Sequence, residues 1–166
     1  MNNSETFVFA QLPQNKEELM ALPEADLSSA YKTAALSMVA LLMYEKDPEN
    51  CFGMLDALRG PEPLSVYDKS FIKDRLAGKE YKVKSFFKGA TTENGYVPTE
   101  PYTITVTENQ NSFSEENWAI LYLRSAGADS EREIKLRRKA STGQWFLNDL
   151  LCLSDIKVPA TADPWA

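Results

Sequence analysis

The chain has 166 residues, with 24 acidic and 18 basic side chains and no histidine, for a net charge of −6. That length suits one domain, able to bury about two thirds of its unfolded surface without a disulfide or metal staple, and its acidity disfavours nonspecific attachment to nucleic acid or membrane. The missing histidine excludes Ser-His-Asp and Cys-His nucleophile pairs, histidine general bases, histidine-ligated haem and the common catalytic zinc sites.

Other exclusions follow from motifs. Neither GxxxxGK[ST] nor GxGxxG occurs, so the two commonest phosphate cradles are absent. Cys51 and Cys152 lie far apart in apolar surroundings and are expected as free buried thiols rather than a disulfide or metal site. No cofactor and no metal is implied. The opening MNNSETFVFAQLP lacks the basic and long apolar regions of a secretory signal, and the apolar run from Ala34 to Tyr44 is too short for a membrane span. The expectation is a cytoplasmic soluble domain, either self-contained or cut from a longer chain.

In chain order, Phe7, Val8 and Phe9 read as a short strand or latch. Asn15 caps a short helix, with Glu18 at the capping-box position and Pro23 beyond its end. A second helix starts near Ser28 or Ser29 and runs to about Lys46, apolar nearly all round and therefore central. Asp47-Pro48-Glu49 opens a third helix, which buries Cys51, Phe52, Met54, Leu55 and Leu58 and stops at Gly60-Pro61. Ser65 and Asp68 cap a fourth, expected to bury Val66, Phe71, Ile72 and Leu76 before Gly78. The helical half holds most of the acidity: residues 1–78 carry 12 acidic and 7 basic side chains, residues 79–166 carry 12 and 11.

From Lys79 the pattern changes. In KEYKVKSFFKG, Tyr81, Val83, Ser85 and Phe87 share one parity and Lys82, Lys84 and Lys88 the other, which predicts an edge strand. Gly89 to Pro101 is a long loop. YTITVTE alternates, with Tyr102, Ile104 and Val106 inward. WAILYL is apolar on both parities and predicts a central strand covered on both faces or nearly so. REIKLRRKA alternates Ile134, Leu136 and Ala140 against charge, and STG turns it into QWFLNDLLCL.

Three stretches, GATTENGYVPTEPYTITV, SAGADSEREIKLRRKASTGQWFL and LSDIKVPATADPWA, resemble an uncharacterised family of bacterial domains of unknown function. The resemblance extends over nearly the whole chain. It implies a bacterial setting and a self-contained domain, and it carries over no activity and no site residue.

The candidate site residues are therefore read from charge and parity. Residues 132–139 hold five cations against Glu133. With Thr142-Gly143 at the tip of a tight hairpin, Ala140 opposes Trp145 and Arg138 opposes Leu147. Lys135, Arg137 and Lys139 then share a face with Phe146, which reads first as a solvated outer face whose lysines resist aggregation, and otherwise as a surface suited to an anion or an acidic protein. A nucleic-acid strand would need this patch to join Lys82, Lys84 and Lys88. The same hairpin puts Asp149 on the inner face beside Arg138, as a structural ion pair rather than a catalytic acid. Glu115 and Glu116 diverge and are read as solvated. Trp165 near the chain end either packs back on the domain, the favoured reading, or offers a docking peptide.

The fold expected is α+β, one domain over 1–166. A layer of about four helices (15–78) packs on a mainly antiparallel, curled sheet of four to six strands (79–153), and a tail covers 154–166. The element order resembles the cone-shaped nuclear-transport-factor and cystatin-like folds. The function expected is a non-enzymatic interaction or accessory domain, monomeric or homodimeric. The alternative is a small-molecule pocket, enzymatic in one version, between the Met-rich central helix and the sheet, with the Gly89–Pro101 loop as its lid.

Overall fold

A helix with no polar side must be enclosed, and the second helix is enclosed on every side. In the computed structural model, which describes residues 3–165, that helix spans Ala30–Leu42, and Thr33 through Leu41 are buried without a break. Around it, in chain order, come β1 (Ser4–Phe9), α1 (Lys16–Met20), the central α2 (Ala30–Leu42), α3 (Pro48–Arg59), α4 (Val66–Leu76) and α5 (Tyr81–Lys84). Four strands follow: β2 (Tyr102–Thr107), β3 (Trp118–Leu123), β4 (Arg132–Arg138) and β5 (Trp145–Leu150). The five strands form one antiparallel, curled sheet in the order β1-β2-β3-β4-β5, so the whole helical layer is inserted between two adjacent strands.

The helix starts follow the local chemistry. Side chains of Asn15, Ser29, Asp47 and Ser65 accept the amides of Glu18, Lys32, Asn50 and Asp68, meeting donors that a helix start leaves orphaned. Ser65 and Asp68 form a reciprocal capping box. Asp68 and Ser65 also place the first turn of α4 so that Val66 and Tyr67 point outward, 83% and 76% exposed; Val66 is thus not a core residue. Phe52 and Phe71 are only half-buried.

Residues 79–88 correct the expected edge strand. They contain the short helix α5, and the buried apolar positions are Val83, Phe86 and Phe87, spaced i, i+3, i+4, not i, i+2, with Lys82 and Ser85 buried beside them. The segment works as a wedge. β2 and β3 pair in register only at Val106–Leu123 and Thr107–Tyr122. Beyond that the Lys88 amide donates to the Thr103 carbonyl and the Ala126 amide to the Ser85 carbonyl. Inserting a helical turn between two strands splays and curls the sheet. The Gly89–Pro101 loop is pinned, not free: Tyr96 is fully buried, stacks on Tyr81 at 5.7 Å and donates its hydroxyl to the Lys157 carbonyl.

The β4–β5 hairpin is shifted from the expected pairing. Arg138 opposes Trp145, Arg137 opposes Phe146 and Leu136 opposes Leu147; an irregularity at Asn148 then brings Asp149 opposite Lys135. That bulge turns Asp149 to the exposed face and lets Leu147 and Leu150 both point inward. Arg138 and Asp149 therefore make no ion pair, and Ala140 is exposed in the turn. On β3 Ala119, Leu121 and Leu123 are buried, while Trp118, Ile120 and Tyr122 face out and are half-covered, so one face is enclosed and the other covered in part.

Cys51 and Cys152 are free and buried, their thiols pushed up to about 12 by desolvation, which leaves no thiolate at neutral pH. Ile156 and Pro159 anchor the tail in the domain, while Trp165 stands 92% exposed and does not pack back.

The free edge of β5 is closed by the helical layer. The Trp145 amide donates to the Leu27 carbonyl, the Thr33 hydroxyl to the Trp145 carbonyl at 2.7 Å, and an Arg59 nitrogen to the Asn148 carbonyl. Thr33→Val keeps the shape and removes that donor; urea denaturation is expected to show a loss of about 1–2 kcal/mol. Ser37→Ala, whose hydroxyl only adds a second bond to the helical Thr33 carbonyl, is expected to cost less than about 0.5 kcal/mol.

Candidate functional site

Where the outer face of β3–β5 meets the α3–α4 loop, the chain forms a groove of about 470 Å³. Its cationic side is Arg137, Arg138 and Lys139 at the end of β4, with Arg59 across from them. Its aromatic side is Trp118 and Phe146. Two acids, Glu62 and Glu116, also line it, so the groove is net positive in a protein that is net negative.

Each wall has a local cause. Asn117 sits in the left-handed region at φ 65, which Asn tolerates better than most residues. Its carbonyl accepts the Arg138 amide and its side-chain oxygen accepts the Arg138 guanidinium, extending the β3–β4 ladder by one residue. Arg137 lies directly opposite both Trp118 on β3 and Phe146 on β5. Its guanidinium is 4.9 Å from the Trp118 ring centre and the Lys135 ammonium is 4.6 Å from it, so two cations lie on one indole. On the far side Gly60 ends α3 at φ 64, and a methyl group there would fall 2.5 Å from Phe146 Cδ1. The Phe146 ring is thus laid against bare backbone.

Arg59 is a strut rather than a free cation. Its Nε donates to the Glu62 carbonyl and one terminal nitrogen to the Asn148 carbonyl, while the other lies 3.6 Å from Asp68. By contrast, among the described residues Lys135, Arg137, Arg138 and Lys139 form no ion pair.

Of the residues expected from charge and parity, Arg137, Lys139 and Phe146 meet in the groove, and Lys135 stands beside it on the same tryptophan. Lys82, Lys84 and Lys88 do not join them: Lys82 is buried with its ammonium on the Leu153 carbonyl, Lys84 pairs with Glu45, and Lys88 belongs to another hollow. Burial and the nearby Lys79 and Arg75 lower the Lys82 pKa. Trp118 and Arg59 were not picked out from the sequence. Trp118 could have been, because it has the outward parity once Ala119, Leu121 and Leu123 are taken as the buried set. Arg59 could not, since only the tertiary fold brings it to β5.

A second hollow of about 560 Å³ lies at the C-terminal end of α2, lined by Val39, Leu42 and Met43 with Glu100 and Tyr102. Met38 is not part of it and packs its sulfur 3.9 Å from Cys152 Sγ. Among the described residues no cluster of cysteine and carboxylate side chains could hold a metal ion, and no helix is long and apolar enough to cross a membrane.

A family model described as "Domain of unknown function (DUF6935)" matches residues 11–160. No curated protein and no solved structure matches the chain.

The glycine at the groove wall gives a direct check. Gly60→Ala is expected to destabilise by about 1–3 kcal/mol through its backbone conformation and the displaced Phe146. Gly53→Ala, at a helical site with open space around it, should instead stabilise by about 0.5–1 kcal/mol. Urea titrations of the two variants compare them.

Proposed function

The chain belongs to the DUF6935 family, whose description names no activity, and from the groove we propose a non-enzymatic interaction domain that binds an acidic partner. The observation that carries this reading is the meeting of Arg137 and Lys139 with Trp118 and Phe146 in one open groove, with neither cation paired to a carboxylate among the described residues. Cations held on aromatic faces keep their charge toward an incoming anion while their stems stay ordered, which lowers the entropy lost on binding. Backbone strand addition at β5 is disfavoured, since the Trp145 and Asn148 groups on that edge are already taken. Recognition at this site is by side chains.

The cone-like shape, a bacterial and cytoplasmic setting, and action as a monomer or homodimer belong to the same proposal. The element order supports the shape, and the resemblance in sequence supports the bacterial setting. A second reading is a small-molecule site at the end of α2. Its support is the hollow of about 560 Å³ with an apolar floor at Val39, Leu42 and Met43, a volume within the usual range for ligand sites. Native mass spectrometry of protein purified gently from its host separates the two, because a retained small molecule adds mass.

The acidic-partner reading is tested with a fluorescein-labelled octaglutamate and the intact protein, followed by anisotropy. Raising salt from about 0.03 to about 0.3 M is expected to weaken binding at least ~10-fold. Arg137→Glu combined with Lys139→Glu should abolish it. Binding that ignores both salt and charge reversal would sink the proposal.

A further inference from the structure

The groove does not end at Arg59. The same arginine lines a smaller cleft of about 200 Å³ on the other side of the α3–α4 loop, floored by Leu64, Phe71, Ile72 and Leu150 and edged by Tyr67 and Leu151. The loop between the two hollows is firmly held: Gly60 fixes its start, Arg59 Nε holds the Glu62 carbonyl, the Leu64 amide donates to Asp56, and Ser65 caps α4. The divider is therefore a built feature. Tyr67 and Leu151 are 76% and 49% exposed, so the cleft has an open apolar rim.

The two hollows differ in charge. On the β4 side Arg137, Arg138 and Lys139 outnumber Glu62 and Glu116. On the cleft side Asp149 is exposed and Asp68 faces Arg59, the one cation among the lining residues described, while Lys135 lies across the strand pair from Asp149 and Arg75 sits on the Phe71 ring. An acidic side chain is favoured in the first hollow and repelled from the second. An apolar side chain gains burial in the second, and a cation next to it would meet Asp149.

Resting on the acidic-partner reading, we propose that groove and cleft are the two halves of one site for an extended peptide. Its acidic run lies on Arg137 and Lys139 beside Trp118. Beyond Arg59 it places an apolar side chain in the cleft, followed by a basic or neutral residue rather than an acid. The charge pattern sets which part of the peptide lies where, and the Arg59 partition sets the spacing between them.

The test uses the intact protein and labelled peptides of equal length. One carries four glutamates, a Gly-Ser spacer and Leu-Lys. A second has the same residues in reverse order, a third replaces Leu by Gly, and a fourth replaces Lys by Glu. At least one leucine peptide is expected to bind ~10-fold or more tighter than the glycine peptide, as expected from burying one aliphatic side chain, and the glutamate replacement should weaken it. Tyr67→Ala and, independently, Leu151→Ser should remove the leucine advantage and leave the glycine peptide unchanged. Both positions are exposed, and circular dichroism melts are to check that the variants fold. Equal binding of leucine and glycine peptides overturns the two-part site while the basic groove stands. No binding of any peptide, or displacement by a single-stranded oligonucleotide at lower concentration than by the leucine peptide, overturns the acidic-partner reading as well.

Discussion

The helix Ala30–Leu42 has no side it can show to water, and the other elements are placed by the need to cover it. The sheet covers one side, and α3 and the turn before α2 contribute on the others. The polar groups this helix does bury are answered within the same contact: Thr33 reaches the Trp145 carbonyl, and Ser37 bonds back to the helix. An unanswered buried hydroxyl would cost more than the bond contributes, so this contact fixes where β5 lies against α2. With β5 held there, its outer face has to meet the end of α3. Gly60 admits Phe146 at that junction, and the groove is the space left between Phe146, Trp118 and the end of β4. The candidate site is thus a by-product of core packing.

Most of the helical layer was legible because helix starts are written locally. Asn15, Ser29, Asp47 and Ser65 each cap within three residues of themselves, and no distant partner is needed to read them. Segment 79–88 was misread because its two patterns compete. Lysines at 82, 84 and 88 suggest alternation, whereas the apolar set Val83, Phe86 and Phe87 has the helical spacing and governs burial. Counting the apolar residues instead of the charges would have given the helix.

The hairpin shows why the basic face was found although its register was not. The expected pairing of Ala140 with Trp145 differs from the observed Arg138–Trp145 by two residues. A slip of two preserves parity, so Arg137, Lys139 and Phe146 stay on one face. The bulge at Asn148 is a shift of one, and it turned Asp149 from an inner partner of Arg138 to an outer neighbour of Lys135. The sign of that bulge is in the sequence: Leu147 and Leu150, three apart, cannot both face inward from an unbroken strand. Trp165 is a different case, since nothing local decides whether a terminal indole packs, and Ile156 and Pro159 take the buried places instead.

Net charge is the wrong scale for judging what such a domain binds. A total of −6 disfavours anionic partners only if all charges act together at the contact. At physiological ionic strength the Debye length is about 8 Å, so carboxylates on the far side of the helical layer are largely screened from a ligand in the groove. What the ligand meets is Arg137, Arg138 and Lys139 against Glu62 and Glu116, and Lys135 beside them on Trp118. The excess acidity then acts elsewhere. It falls in residues 1–78, of which only Glu62 adds an acid to the groove, and there it opposes nonspecific contact with polyanions that approach from other directions. On the acidic-partner proposal, such a domain would discriminate by location: an anion would gain where it fits between the indole and the end of β4, and would be repelled over the surface formed by the helical half.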